Sequence, residues 1–310
     1  MKRINPLVPK LLTNVSRGLF QDPSRYISES VLTNIPVKQT SGKIGSYGKS
    51  HLRIVNSFTG GRAKTARIHV DTPSSDTYLI EKHALADLLT EESFDNYEKP
   101  FDARKDAMMF IMSMIWLGKE KALADALGST GVMSTNTTLS GTSQWSDYNN
   151  STPLTDIKTG RIAVKDGCGF FPNACILSDV VAEHLSYHPQ VLENLGFAQN
   201  RAGTLSMEDL KKALKVKYLY IGSAVYNSAQ QGQTDTIANV WGKNCILYYR
   251  AEDTMRTQSL GYYLSRKGQR RVFVDPEKDP PESELIQVVD EYDFLFTDYN
   301  CGYLIKDATA

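Results

Sequence analysis

The chain has 310 residues, of which 41% are hydrophobic and 23% charged, so its composition excludes a disordered chain and is typical of a globular protein. Its longest apolar run without a charge, residues 107–118, is too short to span a bilayer, so no transmembrane helix is expected. The formal net charge is zero, but the charges are unevenly distributed.

Basic residues are concentrated in residues 1–70. This segment holds 12 Lys and Arg against 2 Asp and Glu, and the remainder holds 23 basic and 33 acidic residues. No acid lies between Ser30 and Val70. A basic segment joined to an acidic body predicts binding to nucleic acid or contact with the acidic body of an identical neighbour. A solvated surface with uneven charge is the third interpretation.

The first two predicted elements are an arm and a hairpin. Prolines and weak periodicity predict an N-terminal arm over residues 1–34. Over residues 43–70 we predict a hairpin, because Thr59-Gly60-Gly61-Arg62 can turn and apolar residues alternate on both sides. An isolated two-stranded ribbon is marginally stable in water, so we expect this one to rest on another subunit.

A long helix is predicted over residues 101–127. Asp102 and Asp106 lie in its first turns, where the helix dipole favours acids, and Gly128 can end it. Such a helix is about 40 Å long. Met and Ile recur along it at helical spacing, which predicts a packed core face rather than a ligand groove.

The second half of the chain predicts a mixture of short helices and strands. A segment rich in Ser, Thr, Asn and Gly, residues 129–152, is expected to be a loop or domain boundary. Without strict alternation of strand and helix, the mixture indicates an α+β protein. Helices are expected from Pro153 to about Lys165, from the Ser178 cap to His188, and from the Ser206 cap to Leu214; strands are expected at residues 216–221, 245–249, 271–274, 285–289 and 294–296.

The sequence contains little that predicts catalysis. His184 and His188 could share a helix face and bind a metal, but Leu185 replaces the Glu of the zinc-protease motif and spacing indicates no third ligand. Phosphate-loop and nucleophile-elbow motifs are absent from the sequence. We therefore predict neither enzyme activity nor a cofactor or metal.

Cysteines and acids could also carry chemistry. Cys168 or Cys175 could serve as a nucleophile with a distant His. The absence of a CxxC pair argues against a zinc ribbon. In a chain this large we expect the four cysteines to be scattered reduced thiols, which suits assembly in a cytoplasm. Acids cluster before and within the start of the long helix. Paired carboxylates can do acid–base work, but interspersed basic residues favour a solvated or subunit-facing surface. The clustered acids are Asp87, Glu91, Glu92, Asp95, Glu98, Asp102 and Asp106.

Several segments, taken in order, resemble the major capsid proteins of tailed phages. The most specific is Trp145-Ser146-Asp147-Tyr148, followed by Pro153-Leu154 and Asp156-Ile157. The other matching segments are Ile35-Pro36-Val37, Ser41-Gly42-Lys43 with Tyr47, Ser75-Asp76-Thr77-Tyr78, Pro172-Asn173 with Ile176-Leu177-Ser178, His188-Pro189, Trp241-Gly242 and Gly302-Tyr303-Leu304-Ile305.

The resemblance implies an α+β fold of the HK-ninety-seven type and a division of the chain into parts. These are an N-terminal arm (1–34), an extended β-hairpin loop (35–75), a peripheral domain (76–150) with a spine helix (101–127), an apical domain (151–255), return strands of the peripheral domain (256–297) and a C-terminal segment (298–310).

It also implies a structural function. Many copies would form hexamers and pentamers that close into an icosahedral shell around double-stranded phage DNA, which they contact non-specifically. Implied partners are a portal protein and, because only a short arm precedes the loop, a separate scaffolding protein. The shell would be the virion capsid, assembled in the host bacterial cytoplasm without a membrane. An encapsulin-like nanocompartment shell protein is the alternative.

The resemblance names candidate contacts between subunits. Basic residues of the extended loop would lie on a neighbour, and the acids before the long helix are their candidate partners. Some relatives crosslink a loop Lys to an Asn, for which Lys43, Lys49 and Lys64 are available. The candidate contact residues are Lys49, Arg53, Lys64 and Arg67, with Glu91, Glu92, Asp95, Glu98, Asp102 and Asp106.

Overall fold

The computed structural model describes residues 22–46, 54, 57–58, 74–90, 103–196, 205–230, 232–252, 258–277 and 282–310. Thirteen strands and six α-helices lie in these ranges. The strands are β1 (Thr33–Val37), β2 (Ser41–Ser46), β3 (Ser74–Leu79), β4 (Glu81–Leu89), β5 (Asn136–Thr138), β6 (Ala174–Ser178), β7 (Tyr218–Gly222), β8 (Val225–Asn227), β9 (Ile237–Asn239), β10 (Cys245–Tyr248), β11 (Gly261–Glu277), β12 (Ser283–Phe296) and β13 (Gly302–Lys306). The helices are α1 (Ser28–Val31), α2 (Ala103–Gly128), α3 (Pro153–Cys168), α4 (Asp179–Tyr187), α5 (Pro189–Asn194) and α6 (Met207–Leu214).

One sheet carries the long helix. Its strand order is β1-β11-β12-β4, and α2 packs across β12 and β4. Ile286 and Val288 of β12 form a small core with Ala107, Ile111 and Ile115 of the helix, which are spaced four residues apart. Side chains two apart on a strand point to the same face, so the even-numbered residues of this part of β12 face the helix.

A second sheet forms the other half of the chain. Its order is β5-β13-β10-β6-β7, with α3 packed against β13 and β10. Every residue of β6 and of β10 is buried, as expected for strands covered on both faces. The helix approaches closely because of Gly160, where an added Cβ would lie 2.6 Å from the Tyr303 ring.

The predicted α+β class and most predicted helices are confirmed. The long helix spans Ala103–Gly128 rather than 101–127, and residues 101–102 lie outside the described part of the chain. The helix predicted to end near Lys165 continues to Cys168 and stops at Gly169, whose φ of +87° is the left-handed conformation that glycine favours. Ser178 and Ser206 cap their helices by accepting hydrogen bonds from the amides of Val181 and Asp209.

Several strand predictions need correction. The strands expected at 285–289 and 294–296 are one strand, β12, and the strand expected at 271–274 is part of the 17-residue β11. Strand β4 was not predicted, because it is an edge strand whose charged and largely exposed residues lack a clear alternation. Asp87 therefore lies in a strand and not at the start of the helix.

The segment at residues 129–152 is more ordered than a loop prediction implies. Strand β5 pairs in parallel with β13, and a 3-10 turn spans Gly141–Ser143. Trp145 is fully buried and donates a hydrogen bond to Asp156 at the start of α3 (2.9 Å). In the described part of the chain, each helix is too short or too polar to cross a membrane.

Candidate assembly surfaces

Most of the predicted contact residues cannot be placed. Asp106 alone of the ten lies among the described residues, in the first turn of α2, where it is partly exposed. The other nine, and the predicted turn at 59–62, lie outside the described residues: Lys49, Arg53, Lys64, Arg67, Glu91, Glu92, Asp95, Glu98 and Asp102. The predicted contacts between basic loop and acidic surface stay predictions.

The base of the predicted loop is described. Strands β2 and β3 pair antiparallel, with Ser41 opposite Leu79 and Ser46 opposite Ser74. The chain thus leaves at Ser46 and returns beside it at Ser74, so both ends of the intervening segment start from one ladder. This is the geometry that an extended loop requires at its base, and the intervening segment holds four of the predicted basic contacts.

The arm joins the body at a buried carboxylate, which we call the Glu120 anchor. Glu120 accepts hydrogen bonds from the backbone N–H groups of Ile27 (3.2 Å) and Ser28 (2.8 Å) and from Nε1 of Trp241 (2.6 Å). Burial raises the pKa of Glu120, and these donors oppose the rise by stabilising the ionised form. One side chain of α2 thereby holds the arm and the loop before β10 together.

The adjacent residue forms a second buried connection, the Lys119 cluster. The Lys119 ammonium lies 2.6 Å from Asp290 of β12, 2.7 Å from Glu29 of α1 and 3.1 Å from the Tyr263 hydroxyl. It also lies 4.2 Å from the centre of the Tyr292 ring. Lys119 and Asp290 are both fully buried, so their pairing is unscreened by solvent.

Arg270 completes the Lys119 cluster at its exposed side. Its guanidinium pairs with Glu29 and lies 3.9 Å from Asp290. The Cζ atom of Arg270 also lies 5.3 Å from the centre of the Trp116 ring. The sequence analysis did not single out Lys119. It missed the cluster, although position 119 continues the four-residue spacing of Ile111, Ile115 and Leu123, all buried.

The face of the β1-β11-β12-β4 sheet that points away from α2 carries another cluster of charged side chains. Glu291 is nearly buried and pairs with Arg266 (2.7 Å) and with Arg271. Two arginines around one carboxylate give this cluster a net positive charge. Positive side chains that remain partly exposed are suited to steering and orienting an acidic neighbour.

Apolar side chains are exposed near this cluster. Strand β1 pairs with β11 only as far as Arg266, so among the described strands the distal part of β11 is paired on one side. Exposed apolar groups on a sheet edge are typical of surfaces that a partner covers. They are Val272, Phe273 and Val274 of β11 and Leu85 and Leu88 of β4.

The two histidines of the metal hypothesis are engaged by other groups. His184 Nδ1 lies 3.2 Å from the Tyr148 hydroxyl. His188 accepts a hydrogen bond from the amide of Gln190 at Nδ1 and lies 3.0 Å from the Ser151 hydroxyl at Nε2. Burial lowers the pKa of His188. Among the described residues, no three His, Cys, Asp or Glu side chains are grouped as metal ligands.

The four cysteines are free and buried. Cys175 and Cys245 lie on neighbouring strands with their sulfur atoms 3.9 Å apart. Burial raises the pKa of Cys175, and a hydrogen bond with Cys168 together with burial raises the pKa of Cys301. Thiols held in the protonated form are poor nucleophiles, so the geometry does not support a cysteine nucleophile at Cys175 or Cys301.

Two curated proteins match this chain along nearly its whole length. The major capsid protein of Burkholderia phage BcepMu is 24% identical over 308 residues, covering 97% of this chain and 96% of that protein. The major capsid protein of Pseudomonas phage JBD67 is 24% identical over 294 residues, covering 92% of this chain and 93% of that protein. No family model matches the chain.

Solved structures share the fold. A phage-related protein from Bordetella bronchiseptica matches with a TM-score of 0.70 and 23% identity, covering 99% of this chain and 98% of that one. The capsid of cyanophage P-SCSP1u matches with a TM-score of 0.58 and 9% identity, over 90% and 86% of the two chains. The SrpI encapsulin of Synechococcus elongatus matches with a TM-score of 0.53 and 10% identity, over 99% and 96%. The predicted resemblance in sequence and fold is confirmed.

Proposed function

We infer that this chain, a homologue of the phage major capsid proteins with their fold, is the shell-building subunit of a phage particle. The full-length match to two major capsid proteins carries the inference, because it extends through both sheets and the long helix rather than through one motif. Because a capsid is built from many copies of one chain, the main binding partner of each subunit is another copy of the same chain.

We propose that the copies form hexamers and pentamers that close into an icosahedral shell around double-stranded DNA. A closed shell needs a subunit that is rigid at its centre and reaches its neighbours through extended elements. The Glu120 anchor and the Lys119 cluster supply rigid connections between the arm, the long helix and both sheets. The paired ends of the segment between Ser46 and Ser74 supply a base for an extended element.

The proposed contact joins the basic segment of one copy to the acids of the next. Lys49, Arg53, Lys64 and Arg67 would lie near Glu91, Glu92, Asp95, Glu98, Asp102 and Asp106 of a neighbour. Each exposed pair contributes about 0–1 kcal/mol, so the contact depends on repetition around the shell rather than on one pair. A scaffolding protein encoded separately, a portal protein and assembly in the bacterial cytoplasm complete the proposal. The role is structural and not catalytic.

The alternative is an encapsulin-like nanocompartment. The match to the SrpI encapsulin supports a shared fold, whereas both full-length curated relatives are phage proteins. The contents of purified particles separate the two functions. Nuclease-protected double-stranded DNA supports the phage capsid, and a protein cargo supports the nanocompartment.

The test of shell building is negative-stain electron microscopy with light scattering, on the chain expressed with and without a scaffolding protein. Closed uniform shells, or rings of six and five subunits, are the expected result. Reversing charge in the loop with Lys49→Glu and Arg53→Glu should reduce assembly, and Lys243→Glu, at an exposed position before β10, is the matched control. A chain that stays monomeric with scaffold present would refute the proposal.

A further inference from the structure

A cavity of about 580 Å³ lies among three helices in the second half of the chain. Its described lining comes from α3, α5 and the end of α6. Part of the wall is apolar: Ile157 and Leu214 are buried beneath it, and Leu154 stays partly exposed. A cavity of this volume is large enough for a small ligand or a few residues of a peptide.

Three cations line this cavity without a counterion. Lys158 and Arg161 lie one turn apart on α3, and Lys215 follows α6. Glu193 is the one acid of the described lining. Across the described ranges, no carboxylate lies within 4.0 Å of the charged nitrogens of Lys158, Arg161 or Lys215. The lining therefore has a net positive charge that the described residues leave unpaired.

The guanidinium of Arg161 is held in a fixed position at the wall. Its Nη1 donates hydrogen bonds to the carbonyl oxygens of Leu214 (3.2 Å) and Lys215 (2.6 Å), and its Cζ atom lies 5.4 Å from the centre of the Phe171 ring. Burial alone lowers the pKa of Arg161, whereas a nearby acid would raise it. Within the described residues, its Nε and Nη2 groups have no acceptor. A fixed guanidinium with free donors is suited to a carboxylate, which arginine binds through paired N–H groups.

Positive charge is concentrated at the cavity because the nearby lysines are neutralised. Three lysines of α6 and of the segment after it each pair with a carboxylate: Lys211 with Glu208, Lys212 with Asp209 and Lys217 with Glu252. The segment that follows α5, residues 195–204, includes Arg201 and no acid, so it has no carboxylate to offer the cavity. The missing negative charge must therefore come from elsewhere.

We propose that this cavity binds an acidic segment of a partner protein, in which a carboxylate stands beside an apolar side chain. The carboxylate would pair with Arg161 between Lys158 and Lys215, and the apolar side chain would lie against Leu154. Inorganic phosphate would satisfy the cations alone, whereas the apolar wall gains only from a ligand that also buries an apolar group. The inference concerns a site on the single subunit and does not rest on the proposed shell function.

Fluorescence anisotropy with a fluorescein-labelled peptide of alternating Glu and Leu residues tests the proposal, on dilute subunits shown to be monomeric by light scattering. We expect saturable binding that weakens as salt is added, because exposed charges are screened. Peptides with Gln in place of Glu, or Ser in place of Leu, should each bind about tenfold more weakly. Absence of saturable binding would overturn the proposal. Equal binding of the Ser peptide would show that charge alone is recognised, and would also overturn it.

A pair of charge-matched double variants locates the binding. Lys158→Gln with Lys215→Gln removes two exposed cations of the cavity and leaves Arg161 in place, and we expect about tenfold weaker binding. Lys165→Gln with Lys243→Gln removes the same charge at exposed positions outside the described lining and should leave binding unchanged. Circular dichroism confirms that both variants are folded. Equal weakening by the two double variants would indicate a non-specific attraction to basic surface and would contradict the proposal.

Photocrosslinking and a concentration series identify the site and its occupant. A benzophenone group on the Glu and Leu peptide should crosslink to residues 154–161, 190–194 or 213–215, and crosslinks confined to other segments would place the peptide elsewhere and refute the site. Raising the subunit concentration should leave the bound peptide in place. If the peptide is displaced as subunits associate, a second copy of this chain fills the cavity and the assignment to a partner protein is wrong.

Discussion

Removing the buried ammonium of Lys119 should destabilise the subunit far more than removing an exposed lysine of the same helix. In Lys119→Met, Asp290 stays fully buried and loses the cation at 2.6 Å, and Arg270 is the remaining cation, 3.9 Å away. Leaving one member of a buried pair uncompensated costs about 3–5 kcal/mol. Because a folded domain is stable by only about 5–15 kcal/mol, this loss is a large fraction of the total.

Lys121→Met is the matched control. Lys121 lies two residues away, is about one-third exposed and pairs with Asp125, itself mostly exposed, at helical spacing. Such a pair is worth about 0.3–0.5 kcal/mol. Urea unfolding of unassembled subunits, followed by circular dichroism and tryptophan fluorescence, should therefore show a large shift in midpoint for Lys119→Met and almost none for Lys121→Met.

A double variant checks that the cost comes from the unpaired charge and not from packing. Lys119→Met with Asp290→Asn removes both buried charges, while Glu29 keeps its contact with Arg270. The double variant should be more stable than Lys119→Met alone, since neither member of the fully buried pair remains charged. Equal losses for Lys119→Met and Lys121→Met, or a double variant no better than the single one, would refute this reasoning.

Three further predictions concern the same body of the subunit. In Gly222→Ala the new Cβ would overlap the Trp241 ring, so we expect the free energy of unfolding to fall by about 1–3 kcal/mol. Gly118→Ala lies on an open helix surface and should instead raise the free energy of unfolding by about 0.4–1 kcal/mol. Thermal unfolding of both variants measures the two changes. Burial lowers the pKa of His188, so the unfolded chain binds more protons and stability falls as pH drops through the ordinary His value of 6.5. His188→Asn, which keeps a helix-capping side chain, should reduce that slope between pH 7.5 and 5.5, and an unchanged slope would exclude His188 as its source. Burial raises the pKa of Glu120, so its contribution is complete below the ordinary Glu value of 4.5 and is lost as pH rises through the folded value. The free energy of unfolding of Glu120→Gln relative to the natural chain should therefore increase as pH rises from 4 towards 7, and a difference independent of pH would contradict this sign.

The sequence allowed the helices to be predicted better than the strands. Ser178 and Ser206 are local signals, because a cap bonds within its own first turn. Strand β4 depends instead on pairing with β12, some 200 residues away, and its charges hide the alternation. The candidate contact residues were chosen from charge and resemblance, and Asp106 is the one that the described structure places. The Glu120 anchor was missed because its donors, Ile27, Ser28 and Trp241, come from distant parts of the chain.

The adjacent positions 119 and 120 explain how one helix can connect the arm to both sheets. Successive helical residues point about 100° apart, so two neighbours on a helix reach different sides of it. Lys119 reaches β12, and Glu120 reaches the arm and Trp241. One turn of α2 thereby links the arm to β12 and to the loop before β10, and both connections use a buried ionisable side chain. Because both connections hold the same short stretch of the arm, we expect the loss of one to weaken the other.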